Sequence, residues 1–264
     1  MTNKEFREHI KKIETSGAKQ FNPANYVVIN VELHGFGTVI KDITGEAPVN
    51  STFGIDVMNS AFERFCQHVV GIKFGFVSMD MAIFVIKAEE GQSAETAYFG
   101  YNSLKLASGV ATSFSAMVRR EARRYAFLYG YGETLGHEIV YDLDGISATC
   151  NVFSAKPAEI IKYIKWYQKS YMSMAYHRML STYTDISKLR GTKLVEVKRI
   201  LSDDYGVDVN GLETKNRRNI WGAAYYKKPG TDTFVFNKDI PDMGSDKHFL
   251  NKAIGFAETF RPKK

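Results

Sequence analysis

The sequence predicts an α/β (α+β) protein in which a ferredoxin-like domain precedes a mainly helical region. Apolar strand-like runs alternate with amphipathic segments over residues 1–156, whereas helical patterns dominate residues 157–264. The chain has 264 residues and is 44% hydrophobic and 13% aromatic, which is enough to form a substantial core. The order strand, helix, strand, strand, helix, strand in the first region is typical of a ferredoxin-like domain.

Each element follows from a local pattern. Apolar residues at helical spacing predict helices, continuous apolar runs predict strands, and Gly45, Pro48 and Gly54 indicate a loop. The predicted elements of the first region are a helix at 3–15, strands at 26–36, 72–78, 82–88 and 146–153, a loop at 41–54, and helices at 55–70 and about 95–128. Those of the second region are helices at 157–181, 192–203 and about 246–259, with a hairpin and tail around KPGTDTFVFNKDIPDMG.

The composition excludes several classes of protein. No apolar run approaches the roughly 20 residues of a membrane span, and the charged N-terminus does not resemble a signal peptide, so we expect no membrane association and a cytoplasmic location. The two cysteines, Cys66 and Cys150, lack the spacing of a metal site and are expected in the core.

Two acidic residues stand out because they occur within apolar strands. Glu32 lies in the first predicted strand, and Asp80 lies between the two strands of the predicted hairpin. Burying a carboxylate is costly unless it is paired or bound to a cation. Two carboxylates on neighbouring strands would suit a divalent metal that assists phosphoryl transfer. The simpler alternative is that each acid lies at a strand end, solvated or paired with a Lys or Arg.

The net charge of +6 is concentrated in the second half, where Lys and Arg outnumber Asp and Glu. Basic residues with interleaved aromatics suit phosphate contacts and base stacking. One such stretch comprises Lys162, Tyr163, Lys165, Trp166, Tyr167, Lys169 and Tyr171. A second basic group ends the long helix and comprises Arg119, Arg120, Arg123 and Arg124. The alternative for both groups is a solvated helix face, which for the arginines is flanked by Glu121.

Several ordered motifs between about Asn25 and Asn219 resemble those of the tRNA(His) guanylyltransferase family. The first is NVELHGF at 30–36, which is similar to the family's Arg-x-Asp-Gly-x-x-Phe, and the second is MDM at 79–81, which stands for Ser-Asp-Glu. Further similarities are Lys105, Ser108, Ala111 and Thr112 on one helix, YIKWYQ at 163–168 on the next, and Lys215, Arg217 and Arg218 at a final Lys-x-x-Arg-Gly motif.

The resemblance implies a polymerase-palm fold with a fingers-like helical extension and an activity that adds a nucleotide to a tRNA 5′ end. It also implies Mg²⁺ held by Glu32 and Asp80, and a nucleoside triphosphate bound by His34, Gly35, Phe36 and Lys105, if the site is retained. The RNA-binding residues would then be the four arginines of the long helix together with Lys162, Lys165, Trp166, Lys169, Lys215, Arg217 and Arg218.

The chain departs from the family pattern at the positions that carry the chemistry. With Phe36 and Asp80 as anchors, the first metal-binding Asp becomes Glu32, the adjacent Gly becomes Leu33, and the acid after Asp80 becomes Met81. Cationic and acidic positions are also replaced at Ala47, Asn50, Thr149, Asn151, Tyr167 and Ser170. Phosphoryl transfer depends on positioning and on cationic stabilisation of the triphosphate, so these losses predict little or no catalysis.

Three functions remain open at this point. The first is a structured-RNA-binding protein, for tRNA or ribosomal RNA, without catalysis. The second is an active Mg²⁺-dependent tRNA guanylyltransferase or related nucleotidyltransferase. The third is a structural or protein-binding module, which would include a homo-oligomer.

Overall fold

A computed structural model of the chain describes residues 3–14, 19–46, 51–131, 143–185, 191–211, 217–246 and 248–256. Its helices are α1 (Asn3–Glu14), α2 (Phe36–Thr44), α3 (Thr52–His68), α4 (Ser103–Leu128), α5 (Pro157–Leu180), α6 (Leu194–Asp203), α7 (Arg217–Trp221) and α8 (Phe249–Ile254). Its strands are β1 (Val27–His34), β2 (Ile72–Val77), β3 (Met81–Ile86), β4 (Ser147–Ser154), β5 (Ala223–Lys227) and β6 (Phe234–Asn237).

The strands form one antiparallel sheet in the order β4-β1-β3-β2-β5-β6. The first four strands have the order of a ferredoxin-like domain, which confirms the predicted α+β fold. The hairpin expected near KPGTDT is confirmed as β5 and β6, which extend the sheet from the edge of β2. The second half of the chain therefore supplies two strands to the sheet as well as helices. The division into a palm-like domain and a mainly helical region at residue 156 stays a prediction.

Both faces of the sheet are covered. Alternate residues of β1, among them Val27, Ile29 and Val31, pack against α3 and α4 in one core cluster. Val28 lies on the other face, in a second cluster that contains residues of α1, α5 and α8. A third cluster joins the C-terminal half of α5 to α6 and α7. Helices α4 and α5 therefore lie on opposite faces of the sheet.

Several predicted elements differ from the structure, and the last helix, predicted near 246–259, spans only Phe249–Ile254. The predicted loop at 41–54 contains part of α2, which buries Phe36, Val39, Ile40 and Ile43 and ends at Gly45 with a left-handed backbone. The prediction missed this helix because it is only nine residues long and is followed by residues that are typical of turns. The helix predicted from residue 95 begins at Ser103, because Asn102 caps it by accepting hydrogen bonds from the amides of Leu104 and Lys105.

Candidate functional site

The candidate site lies where β1 ends beside the turn between β2 and β3. Glu32 pairs with Met81 across the sheet, and the Leu33 amide donates a 2.7 Å hydrogen bond to the Asp80 carbonyl oxygen. The two acids predicted to be neighbours thus belong to adjacent strand ends.

Glu32 is exposed, so the expectation of a buried carboxylate is wrong for this residue. The side chain belongs to a polar stripe on β1 that also contains Asn30 and His34, on the face of the sheet that α5 covers. Tyr167 of α5 reaches this stripe: its hydroxyl accepts a 2.6 Å hydrogen bond from Asn30 Nδ2 and lies 3.5 Å from Glu32 Oε1. Glu32 is therefore a solvated acid near the end of its strand, which is the simpler alternative from the sequence.

Asp80 has a cation of the protein as its partner. Arg178 near the end of α5 donates a 2.7 Å hydrogen bond from Nη2 to Asp80 Oδ2, and the Asp80 side chain is only 20% exposed. Burial alone would lower the pKa of Arg178, but the charge of Asp80 and the hydrogen bond between the two side chains raise that pKa. The simpler alternative from the sequence, an acid paired with a Lys or Arg, therefore describes Asp80.

The turn that carries Asp80 is anchored from behind by a tyrosine. The Met79 amide donates a 2.8 Å hydrogen bond to the hydroxyl of Tyr171, which is fully buried, and this burial raises the pKa of Tyr171. Arg218 lies close enough to oppose that shift, and its own pKa is lowered to about 10, chiefly by burial. Its Nε donates a 2.6 Å hydrogen bond to Asn59 Oδ1 of α3. This geometry gives Arg218 a role in the packing of α7 on α3, and its predicted contact with RNA stays a prediction.

The other predicted nucleotide-binding residues are divided between the two ends of the sheet. Phe36 is 1% exposed and its ring lies in the core, and its predicted role in nucleotide binding stays a prediction. His34 is exposed and its Nε2 lies 2.9 Å from Thr149 Oγ1 of β4.

Lys105 lies in the first turn of α4. Arg119 lies about 21 Å further along the same helix and hydrogen-bonds to Ile146, next to the start of β4. Since β4 starts beside His34, Lys105 lies at the opposite end of the sheet from the acids.

The tight turn after β1 is at Gly35. Its φ is +75°, and a Cβ atom there would overlap the carbonyl oxygen of Gly145. Leu33, by contrast, is an ordinary strand residue with a buried side chain. When the motif Arg-x-Asp-Gly is aligned on the glycine of this turn, its acid falls on His34 and its arginine on Glu32. The register anchored on Phe36 is thus displaced by two residues from the one that the turn supports.

The donor atoms at this site fit a divalent metal poorly. Within the described ranges, no group of three or more His, Cys, Asp and Glu side chains is arranged to hold a metal ion. A hard cation such as Mg²⁺ requires several oxygen ligands in a nearly octahedral arrangement. Here Asp80 is bound to a guanidinium, and Glu32 faces the Tyr167 hydroxyl.

Comparison with solved structures shows extensive similarity in fold. A bacterial tRNA(His) guanylyltransferase-like protein in complex with ATP is 14% identical, with 94% of this chain and 98% of that chain covered at a TM-score of 0.72. The chain has a tRNA(His) guanylyltransferase-like fold. A bacterial protein of the same description in complex with GTP matches at 14% identity and a TM-score of 0.59, with the same coverage. The tRNA(His) guanylyltransferase of Saccharomyces cerevisiae matches at 13% identity and 0.57, with 88% of this chain and 96% of that chain covered.

Sequence comparison alone finds less. No protein-family model matches the chain, and the search of curated proteins found no match to its sequence. The similarity is therefore one of fold at low sequence identity. The role of each residue depends on its own surroundings in this structure.

The four arginines on α4 of this guanylyltransferase-like fold have different surroundings. Arg119 donates to the Ile146 carbonyl at 2.6 Å, and Arg124 donates to the carboxylate of Glu121 at 2.7 Å, so both help to hold the fold together. Arg120 is exposed, and Arg123 is 51% exposed with Asp144 at 3.7 Å. Glu121 does not flank an exposed face, as the sequence suggested, but is fully buried.

The basic stretch on α5 separates into two sides. Lys162 and Lys169 are exposed and Lys165 is half-buried, at a spacing that places all three on one side of the helix. Tyr163 and Tyr171 are core residues, and Trp166 is partly covered by the guanidinium of Arg7, 5.2 Å from its ring centroid. Tyr163 and Tyr171 are therefore packing residues, whereas Trp166 is partly exposed and its predicted contact with RNA stays a prediction.

Two of the predicted RNA contacts lie outside the described part of the chain. Lys215 lies outside the described residues, as does the side chain of Arg217.

No described helix is both long and apolar enough to span a membrane.

Proposed function

We propose that the chain is a structured-RNA-binding protein, built on a tRNA(His) guanylyltransferase-like fold, that does not transfer nucleotides. The observation that carries the non-catalytic part of the proposal is the ion pair between Arg178 and Asp80. A metal bound by Asp80 would first have to displace a guanidinium that is held by a charge-assisted hydrogen bond.

The remaining groups at the site do not supply the missing chemistry. Two-metal phosphoryl transfer requires carboxylates that hold the ions in place and cations that stabilise the triphosphate charge. The turn at Gly35 is preceded by an imidazole at His34, and Phe36 is buried after it. The predicted cation Lys105 lies at the other end of the sheet, where it cannot contact a triphosphate at Glu32 and Asp80.

RNA binding is supported by the charge of the chain and by its exposed cations. The net charge is +6, and exposed or partly exposed Arg and Lys side chains occur on α4 and α5. Neutralising phosphates in this way gives sequence-independent affinity, and folded RNA is recognised mainly through its backbone and shape. The relatives in fold include proteins named for tRNA(His), which makes tRNA the first RNA to test, with ribosomal RNA as the second.

Arg120→Glu is expected to weaken RNA binding and to reduce the salt dependence of the affinity. Because the side chain is exposed, its replacement removes a phosphate contact without disturbing the core, and each lost contact lowers the slope of log K against log salt by about 1. Fluorescence anisotropy with labelled tRNA at several salt concentrations measures both quantities.

The matched control for Arg120→Glu is Arg199→Glu, which makes the same charge change on α6. Arg199 is already paired with Glu196 and Asp203, so its replacement should leave the slope unchanged. Equal losses in the two variants would show that only the net charge matters. An affinity of the unaltered chain that does not change with salt would contradict the proposal.

The identity of the RNA follows from crosslinking in the native cell and sequencing of the recovered RNA. Enrichment of one tRNA, or of one locus in ribosomal RNA, supports the proposal and distinguishes its two forms. Recovery of no RNA contradicts the proposal and favours the protein-binding module. The homo-oligomer and the cytoplasmic location stay predictions.

The second candidate is an active Mg²⁺-dependent tRNA guanylyltransferase or related nucleotidyltransferase. It is favoured by the position of Glu32 and Asp80 on neighbouring strand ends, and by the similarity in fold to proteins solved with ATP and with GTP. In that case Glu32 and Asp80 would contribute oxygen ligands to Mg²⁺, whose role would be to activate the attacking oxygen and stabilise the leaving group.

Calorimetry with GTP or ATP at millimolar Mg²⁺ is expected to show no binding to the unaltered chain. The reason is the paired state of Asp80 and the distance of Lys105 from the acids. Heat of binding that disappears in Asp80→Asn would support the enzyme and overturn the non-catalytic proposal. Binding that survives in Asp80→Asn would place the nucleotide at another site.

A further inference from the structure

The outer face of α4 carries a line of exposed side chains that ends in a phenyl ring. Arg120, Arg123 and Phe127 are all exposed and are spaced three, four and seven residues apart, so they lie on one face over about 10.5 Å of helix. We call this line, with Arg124 at its side, the Arg-Phe face. Phe127 is 80% exposed, which is unusual for a large apolar side chain.

A polar cleft runs beside the Arg-Phe face. It lies between α3 and α4, has a volume of about 420 Å³, and is lined by Arg64 and His68 from α3 and by Arg120 from α4, among other residues. The cleft is also lined by the carboxylate of Glu63, so its two guanidinium groups outnumber its one acid. This excess of positive charge favours an anion, and a guanidinium can bind a phosphate through two parallel hydrogen bonds.

A buried carboxylate fixes the geometry of this region. Glu121 lies between the two helices, with Arg124 Nε 2.7 Å from one carboxylate oxygen and Arg64 Nε 3.4 Å from the other. The Ser60 hydroxyl also donates to it at 2.8 Å. Both arginines keep 41% of their side chains exposed, so Glu121 holds Arg64 at the cleft and Arg124 on α4 beside it while part of each side chain still faces solvent. Arg124 also lies 4.5 Å from the ring centroid of Tyr125.

We propose that the Arg-Phe face and its cleft bind an unpaired nucleotide of an RNA, with the base stacked on Phe127 and an adjacent phosphate held by Arg64 and Arg120. The inference rests on the proposed RNA-binding function and names the feature of the RNA that the chain recognises. A phenyl ring next to guanidinium groups matches the two parts of a nucleotide, since an unpaired base stacks on an aromatic face and its phosphate pairs with arginine.

The charge on this face argues for RNA over a second copy of the chain. A second copy of the chain carries a net charge of +6, so its overall charge repels Arg120, Arg123 and Arg124. An RNA strand brings one negative charge per nucleotide, so charge complementarity favours it.

The test compares the affinity of the protein for two RNAs that contain the same hairpin. The first RNA has a blunt end, and the second has a short single-stranded 3′ extension. The unaltered chain is expected to bind the extended RNA more tightly. Phe127→Ala should lose about 5- to 150-fold of affinity for the extended RNA and little for the blunt one, since stacking of one base contributes about 1–3 kcal/mol. Phe127→Trp, which keeps an aromatic face, should restore the preference.

The control is Val195→Ala, which shortens a side chain on α6 that is 81% exposed and should leave both affinities unchanged. If Phe127→Ala binds both RNAs as the unaltered chain does, the inference is overturned while RNA binding itself stands. If the unaltered chain binds neither RNA, the proposed function fails as well. A change in the mass measured by light scattering for Phe127→Ala, with unchanged RNA binding, would assign the face to a second copy and also overturn the inference.

Discussion

A double variant that lacks both cations beside Glu121, Arg64→Met with Arg124→Met, is expected to lose about 3–5 kcal/mol of free energy of unfolding. The Glu121 side chain is 0% exposed, so its carboxylate cannot recover the lost interactions from water. The Ser60 hydroxyl would remain as a hydrogen-bond donor, but it carries no charge. Urea denaturation followed by circular dichroism measures the loss.

The control for this prediction is a third substitution, Glu121→Met, added to the double variant. A buried ion pair replaced entirely by apolar side chains of similar volume is often as stable as the original. Most of the lost stability should therefore return in the triple variant. If the triple variant is no more stable than the double variant, the loss comes from packing of the arginine side chains and not from an unpaired carboxylate.

Gly35→Ala is expected to destabilise the chain by about 3 kcal/mol and to disturb the candidate site directly. A left-handed backbone costs a residue with a Cβ atom about 1–2 kcal/mol, and the overlap with the Gly145 carbonyl adds a packing cost of about 1–3 kcal/mol. Relief of the overlap would move the start of β4 away from β1. Thermal or urea unfolding measures the effect on stability.

The matched control is Gly45→Ala, because Gly35 and Gly45 flank the two ends of α2. Gly45 has a φ of +72°, close to that of Gly35, but a Cβ atom there would meet nothing within 4 Å. Gly45→Ala should therefore lower the free energy of unfolding only by the cost of the left-handed backbone, about 1–2 kcal/mol. Equal losses in the two variants would mean that the close approach to Gly145 is not a constraint on the fold.

The errors in the sequence interpretation have physical causes. Turn-forming residues hid α2, whose apolar period is only nine residues long. The aromatics on α5 have the spacing of a stacking surface, but the same spacing places Tyr163 and Tyr171 against the sheet and the Asp80 turn. Composition cannot distinguish these two outcomes, because an aromatic ring suits a core and a nucleic-acid surface equally.

The sequence by itself determined the strand and helix order of the first region, because alternation and helical periodicity are local properties of the chain. It also determined that Glu32 and Asp80 belong to neighbouring strands, since a ferredoxin-like domain places the end of β1 beside the start of β3.

Only the tertiary structure decided what those acids contact. Arg178 is 98 residues from Asp80, and Tyr167 is 135 residues from Glu32, so no local pattern could pair them. The same holds for Glu121, whose charged neighbourhood in the sequence suggested a solvated face. It is buried because α3 packs against α4 and brings Arg64 and Ser60 to its carboxylate. Whether an ionisable group is a ligand, an anchor or a surface charge depends on its partners, and long-range packing decides which partners it has.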